Sequence, residues 1–428
     1  MKNKKYLEFV FLIILGALTS LSLPPYNYIF INFITLGLYF IFLFQKKKLN
    51  EKKNSFLYGW FFGFGYFLTN LYWIPISLTF DQNFSFLIPF ALILIPLFLG
   101  TFYGLATYFF FIVNIKKPLS NLFLFSLFFG LTEFLRGNIL TGFPWNLIAF
   151  SFSKNLEILQ ILSFIGTYGF NILCISFFAS PAIFILRENR KEILVCIIFL
   201  LLPVVFFSFG FNHIKSFQSS KSVYNDLVIR SIGSNIDLDR FYGNSDTVEV
   251  INELIKISQP DQEIKTIFIW PEGIIPNVNQ NELKDFEFLF NEKFNKNHLL
   301  VIGINSYEKK HNKEYFYNTI SIYDHKLNLI DDYKKVKLVP FGEFLPFEKI
   351  LKKIGLKSLT NNYQSFSSGK KRDILKINVE NFNLEILPLI CYEIIYSGNI
   401  FTNSKFDYII NVSEDGWFGN SIGPHQHF

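Results

Sequence analysis

The stretch LPLICYEIIYSG, residues 387–398, sets a cysteine between an apolar run and a glutamate. Of the three cysteines in the chain, Cys174 and Cys196 lie inside long apolar stretches, and only Cys391 stands in the polar half. A buried lone cysteine is by default a small hydrophobe. In an oxidising compartment, however, Cys391 has no disulfide partner within its own half, and a thiol kept single there invites a chemical reason. A nucleophilic thiol needs a base to take its proton and a cation or hydrogen-bond donor to hold developing charge. Two other segments offer such groups. In IWPEGIIP (269–276), Glu272 follows an apparent strand and has tryptophan, proline and aliphatic neighbours. In YKKVKLVPFGEFLP (333–346), Lys334, Lys335 and Lys337 precede an apolar, turn-forming loop that holds Glu343. A surface turn glutamate and a solvated lysine face are the ordinary fates of such residues. The apolar settings favour a site, because a carboxylate there wants a cationic partner.

The elements that must position these groups read as alternating strands and helices from residue 212 onward. Strands are predicted at 227–232, 266–270, 299–305, 315–324, 381–390 and 406–412, and helices at 247–257 and 281–294. That alternation argues for a layered α/β domain with a mostly buried sheet, and the candidate groups fall at strand ends, where such folds build sites.

The first 211 residues are a different material. Hydrophobic residues make up 50% of the chain and charged residues 17%, with 56 phenylalanines. A soluble domain carries about 25% charge, so part of the chain belongs in lipid. Seven apolar segments, roughly 6–23, 26–43, 56–76, 87–113, 119–135, 156–186 and 193–211, are candidates for spans. The longest leave room for tilt or for interfacial turns near Pro89 and Pro181. Thirteen basic residues fall in one alternate set of connections, at Lys2–Lys5, Lys46–Lys53, Lys116–Lys117 and Arg187–Lys191, and only Arg136 and Lys154 in the other. The positive-inside rule then predicts a cytoplasmic N-terminus, seven crossings, and everything after residue 211 outside. A cleaved signal peptide over the first segment would break that alternation. The net charge of +6 hides an imbalance: residues 1–211 hold 15 basic and 7 acidic residues, the remainder 25 and 27. The surplus is loop lysine suited to anionic lipid, which argues against nucleic acid as a partner.

Taken together and in order, WPEG, YxKxxLVPFGExxP, CYE and NVSEDGWFGNSIGPHQH (411–427) resemble the nitrilase-like domain of the apolipoprotein N-acyltransferases, membrane-bound members of the carbon–nitrogen hydrolase superfamily. TEFLRGNILTGFPW (132–145) resembles the same family's connection after the fifth span. The resemblance implies a multi-span α-helical membrane domain (1–211) followed by an extracytoplasmic nitrilase-like α/β domain (212–428), an α-β-β-α sandwich, on the periplasmic side of a bacterial inner membrane. It implies a Cys391–Glu272–Lys335 triad: Cys391 the nucleophile, Glu272 the general base, Lys335 the oxyanion donor, aided by a backbone N–H near Tyr392. Glu343, Tyr392 and Glu393 take supporting roles. The expected reaction is ping-pong transfer of an acyl chain from a membrane phospholipid, phosphatidylethanolamine being the expected donor, to the α-amino group of a diacylglyceryl-cysteine at the N-terminus of an apolipoprotein. Neither metal nor diffusible cofactor is required.

Other features have plainer readings. GWFFGFG (59–65) lies within a span and suits close helix packing. His425 and His427 lack a third ligand at metal-binding spacing. Glu133 and Arg136, at i and i+3, read as a structural pair. Glu414 stands where the family commonly has asparagine, adding a charge near the site, and Phe241 and Tyr242 are both candidates for the family's aromatic after the first strand. The chain stops at Phe428 where the family continues to finish the α/β domain and adds an eighth span, so the C-terminal end and that span are expected to be missing, the sequence being a fragment or a truncated reading frame. A membrane-tethered amidase acting on a small C–N substrate shares the triad and is the main rival. A transporter or outer receptor is disfavoured by the scarcity of charge within the spans.

Overall fold

The computed structural model describes the chain except residues 1, 81, 220–225, 237, 239, 241–245, 276, 312, 349–364, 380 and 401–403. Phe241 and Tyr242 therefore lie outside the described residues. The chain divides into two compact units, one comprising Met1–Lys221 with Phe418–Phe428, the other Ser222–Trp417.

Each apolar segment of the first unit carries a long helix: α1 (Lys2–Thr19), α2 (Ile31–Lys48), α3 (Ser55–Leu71), α4 (Ile88–Ile112), α5 (Pro118–Asn138), α6 (Leu162–Ala179) and α7 (Arg190–Ser219). Among the described residues, five stretches are long and apolar enough to cross a bilayer: Lys5–Ser22, Phe84–Ile112, Pro118–Asn138, Leu162–Ala179 and Arg190–Ser219. The other two fall short for visible reasons: α2 ends in Lys46, Lys47 and Lys48, and α3 has 17 residues. The segment 156–186 is broken, with Pro181 standing between the end of α6 and a short helix from Ala182 to Leu186.

Close helix contact explains GWFFGFG. A Cβ on Gly59 would lie 2.0 Å from the Tyr103 carbonyl of α4, and one on Gly63 would lie 3.0 Å from the Cα of Gly100. Only glycine lets the backbones approach so closely. The pair Glu133–Arg136 is fully buried, at 1% and 2% exposure. Arg136 Nε donates to Glu133 Oε2 at 2.8 Å, Nη2 donates to the same oxygen, and Nη1 donates to the Phe143 carbonyl. The guanidinium also sits 5.1 Å from the Phe67 ring centroid. One buried cation thus holds both its own helix and the connection that follows it. Arg136→Ala should destabilise the protein by about 3–5 kcal/mol, because it strands a buried carboxylate. Thermal unfolding in detergent measures this, and Glu133→Gln combined with Arg136→Met should cost less than Arg136→Ala alone.

The second unit is layered. One sheet has the order β1 (Val228–Ser231), β2 (Thr266–Trp270), β3 (His298–Lys310), β4 (Lys313–Tyr323), β5 (Leu329–Lys334). Its first three strands are parallel and its last two antiparallel. The other sheet has β6 (Leu375–Val379) antiparallel to β7 (Phe382–Ile390), which runs parallel to β8 (Tyr408–Val412). Alternation along the strands makes two cores. Phe268, Trp270, Leu300 and Ile302 face α8 (Thr247–Ser258), which presents Val250, Ile251 and Leu254. Ile267, Leu299, Val301 and Ile320 face Ile377, Leu384, Ile386 and Ile410 of the second sheet. Helix α8 begins where the Asp246 carboxylate accepts the Val248 N–H at 2.8 Å and stops at Gln259 in the left-handed region, a side-chain cap and an αL stop. Helix, sheet and sheet are, among the described residues, three of the four layers of the expected α-β-β-α sandwich.

One expected helix is corrected. Residues 281–294 fold as two single turns, Leu283–Phe286 and Glu287–Phe290, rather than one helix. Burying Leu283, Phe290 and Phe294 against Phe268 and Trp270 takes precedence there over regular i→i−4 bonding. Strands β5 and β6 were not foreseen; β5 carries Asp331 and Asp332, residues depleted in strands.

Candidate active site

Four strands of the second unit end at the candidate groups. Glu272 comes two residues after β2, Lys335 directly after β5, Cys391 directly after β7, and Glu414 two residues after β8. The antiparallel register sets Lys334 opposite Thr319, and the Lys335 N–H then donates to the Asn318 carbonyl at 2.9 Å.

Lys335 is 1% exposed and lies between two carboxylates. Its Nζ donates to Glu343 Oε1 at 2.9 Å and to Glu272 Oε1 at 3.3 Å. The Asn318 side-chain amide donates to the same two oxygens, at 2.8 and 2.6 Å. A four-membered arrangement results, with two acceptors each receiving an ammonium and an amide donor. The remaining carboxylate oxygens take backbone donors: Glu343 Oε2 accepts the Val339 N–H at 2.8 Å, and Glu272 Oε2 accepts the Glu414 N–H at 3.2 Å. Burial alone would push the Lys335 ammonium down, but Glu272 and Glu343 outweigh it and hold the lysine above its usual range. Beneath this turn β3 passes so closely that a Cβ on Gly303 would lie 2.5 Å from the Glu272 Cα, a space only glycine fits.

Cys391 opens a helical turn, Cys391–Ile395, with φ at +50°, a left-handed backbone that non-glycine residues adopt at some cost. The kink ends β7 abruptly and turns the thiol out of the strand. Burial pushes the thiol up, and the Glu272 carboxylate adds to that; Lys335 and a hydrogen bond with Ser413 pull it down without cancelling the rise. The resting sulfur is therefore protonated near neutral pH, and thiolate gains population only as pH climbs through a raised pKa. Alkylation of Cys391 by iodoacetamide should be slow at pH 7–8 and still accelerating at pH 9 and beyond; a plateau below pH 8 would contradict the raised value.

The candidates do not all converge on the thiol. Glu393 is fully buried and points into backbone. Its Oε1 accepts the N–H groups of Val336 and Lys337, both at 3.0 Å, and pairs with Arg372 at 3.1 Å. Its Oε2 accepts the Ile390 N–H at 3.1 Å, and the Tyr333 hydroxyl donates to both oxygens. A single carboxylate thus ties the chain just after Lys335 to the chain just before Cys391. Tyr392 is 6% exposed and meets Tyr396 edge-on at 5.1 Å. The extra charge of Glu414 is matched by an ion pair with Arg240, which is fully buried and also donates to the Ile236 carbonyl at 2.8 Å. His427, a residue of the first unit, stacks on Trp145 of the same unit at 5.5 Å.

Sequence reasoning missed Asn318, Arg372 and Arg240. Only Asn318 left a trace, as an asparagine inside the aromatic and β-branched run YFYNTISIYD, where such a residue needs partners.

Comparison with known proteins bears on both units. The family model for the N-terminal domain of apolipoprotein N-acyltransferase matches residues 15–180, and that for carbon–nitrogen hydrolases matches residues 250–428. The apolipoprotein N-acyltransferase of Rhodopseudomonas palustris is 31% identical over 98% of this chain and 80% of its own length. That of Rickettsia prowazekii is 32% identical over 97% and 81%, and that of Brucella melitensis 28% identical over 96% and 79%. Identity of this extent, running through the apolar helices and the layered domain alike, means that the chain belongs to the apolipoprotein N-acyltransferase family.

Proposed function

We propose that this chain is a lipoprotein N-acyltransferase that works through a Cys391 thioester, with Glu272 as base and Lys335 as oxyanion donor. The observation that carries this reading is the buried Lys335 ammonium, bonded to Glu272 and Glu343 at the end of a strand in the unit that also holds Cys391. In the first half-reaction Glu272 takes the thiol proton as sulfur attacks a phospholipid ester carbonyl. Lys335 Nζ and a backbone N–H near Tyr392 hold the oxyanion. Collapse breaks the C–O bond, Glu272 returns the proton to the leaving glycerol oxygen, and a lyso-phospholipid departs. In the second, the α-amino group of a diacylglyceryl-cysteine attacks the thioester. Glu272 accepts the amine proton and returns it to the departing sulfur, leaving an N-acylated apolipoprotein. Glu272 Oε1 is occupied by two donors, so Oε2, which carries one backbone N–H, is the oxygen free to move the proton.

Both substrates are anchored in lipid, which gives a reason for fusing a thiol enzyme to a bundle of apolar helices. The lysine distribution supports seven crossings of the bacterial inner membrane with a cytoplasmic N-terminus and the second unit on the periplasmic side. Phosphatidylethanolamine is the proposed donor.

The test is to supply phospholipid and a diacylglyceryl-cysteinyl peptide to the purified protein in detergent. The expected products are lyso-phospholipid and peptide heavier by one acyl chain. Lyso-phospholipid with free fatty acid and unmodified peptide would instead identify a lipid hydrolase, and activity confined to a small amide would favour the tethered amidase.

A further inference from the structure

Beside the proposed thiol site lies a cavity of about 230 Å³ lined by Val336, Lys337, Arg372, Tyr396 and Asn399. None of these five belongs to the triad, but four of them follow Lys335 or the Cys391 turn in the chain, and Arg372 is tied to that turn through Glu393. Val336 and Lys337 follow Lys335 directly, and Tyr396 and Asn399 follow the turn that Cys391 opens. The two walls are fastened together by Glu393, which accepts N–H groups from Val336, Lys337 and Ile390.

The cavity is cationic and largely preorganised. Arg372, with an 11% exposed side chain, is fixed by the Glu393 carboxylate at 3.1 Å, the Asn399 carbonyl at 2.9 Å and the Tyr333 hydroxyl at 3.3 Å. Three of its five N–H groups are thereby used, and a guanidinium held so keeps a forked pair of donors. The Glu393 charge is neutralised by Arg372, so the net charge of the cavity comes from Lys337. Its ammonium lies 5.4 Å from the Tyr396 ring centroid and has no carboxylate partner among the described residues. An exposed cation, a partly spent guanidinium and a primary amide around one hollow are the recognition set for a tetrahedral oxyanion.

We propose that this cavity binds the phosphodiester of the donor glycerophospholipid, an inference that rests on the acyl-transfer reading above. Two chain steps separate Lys337 from Lys335, so their Cα atoms lie within about 7 Å of each other. In a glycerophospholipid only the glycerol separates the phosphate from its ester carbonyls. A phosphate held by Lys337 and Arg372 therefore leaves an ester carbonyl within the neighbourhood of Lys335, and a diacylglycerol lacking phosphate forfeits that hold.

The test uses the full chain carrying Cys391→Ala, which cannot be acylated, so binding is read apart from chemistry. Isothermal titration in detergent compares dihexanoyl phosphatidylethanolamine below its micellar concentration, dihexanoylglycerol, and inorganic phosphate. The phosphate-bearing lipid should bind about tenfold more tightly than dihexanoylglycerol, since one charge-assisted contact is worth roughly that factor. Adding Lys337→Ala should erase the difference, and Lys337→Arg should retain it. Equal binding of the two lipids, or a preference untouched by Lys337→Ala, would overturn the proposal. Inorganic phosphate binding as tightly as the lipid would also overturn it, by assigning the cavity to free phosphate. A Lys337-dependent preference in the Cys391→Ala chain, together with no acyl adduct on the unsubstituted chain incubated with phosphatidylethanolamine, would keep the anion site and discard the acyl-transfer reading.

Discussion

Lys335→Ala is expected to lower the rate of acyl-enzyme formation by a few hundredfold. Removal of one oxyanion donor costs about 3–4 kcal/mol of barrier in enzymes of acyl transfer. Here the loss compounds, because the same ammonium bridges Glu272 and Glu343. Without it the two carboxylates face each other with no cation between them, and the proposed base keeps only the Asn318 amide and the Glu414 N–H as donors. Lys335→Arg should not restore the rate, since a planar fork cannot replace a point donor enclosed at 1% exposure. Single-turnover acylation measured by intact mass reads the effect. A Lys335→Ala protein retaining more than a tenth of the rate would remove this lysine from the chemistry.

Glu393→Gln should unfold the second unit early rather than slow one chemical step. The side chain keeps its length but gains an NH2 where every neighbour is already a donor: three backbone N–H groups, the Tyr333 hydroxyl and Arg372. Breaking a buried pair of this kind costs about 3–5 kcal/mol. For a unit of this size each kcal/mol moves Tm by about 2–4 °C, so a fall on the order of 10 °C is expected. Activity should fall with it, because the Lys335 loop and the Cys391 turn lose their common anchor. A Tm within about 2 °C of the unsubstituted protein would show that Glu393 does not fasten these segments.

These two cases mark where the sequence was readable. TIFIW declared a strand over 266–270 by its β-branched, apolar residues, and it forms over those residues. The chemistry-bearing side chains stood out because each sat oddly: a glutamate among tryptophan and prolines, a single cysteine in a polar half. What remained hidden was pairing at a distance. Asn318 reaches Glu272 across 46 residues and Arg240 reaches Glu414 across 174, and no local pattern records such partnerships. Arg372 lies in the run GKKRD, which composition alone reads as a solvated basic turn. The broken helix at 281–294 has the same origin, since packing against Trp270 and Phe268 overrode a locally helical spacing.

The central claim is that Cys391 carries the acyl group. The direct measurement is intact mass of the purified chain after incubation with phosphatidylethanolamine in detergent, without acceptor. The account predicts one added acyl chain on the unsubstituted protein, removed by neutral hydroxylamine as a thioester is, absent from Cys391→Ala and strongly reduced in Glu272→Gln. An acyl adduct that persists in Cys391→Ala, or transfer to a lipopeptide by that variant, would contradict it.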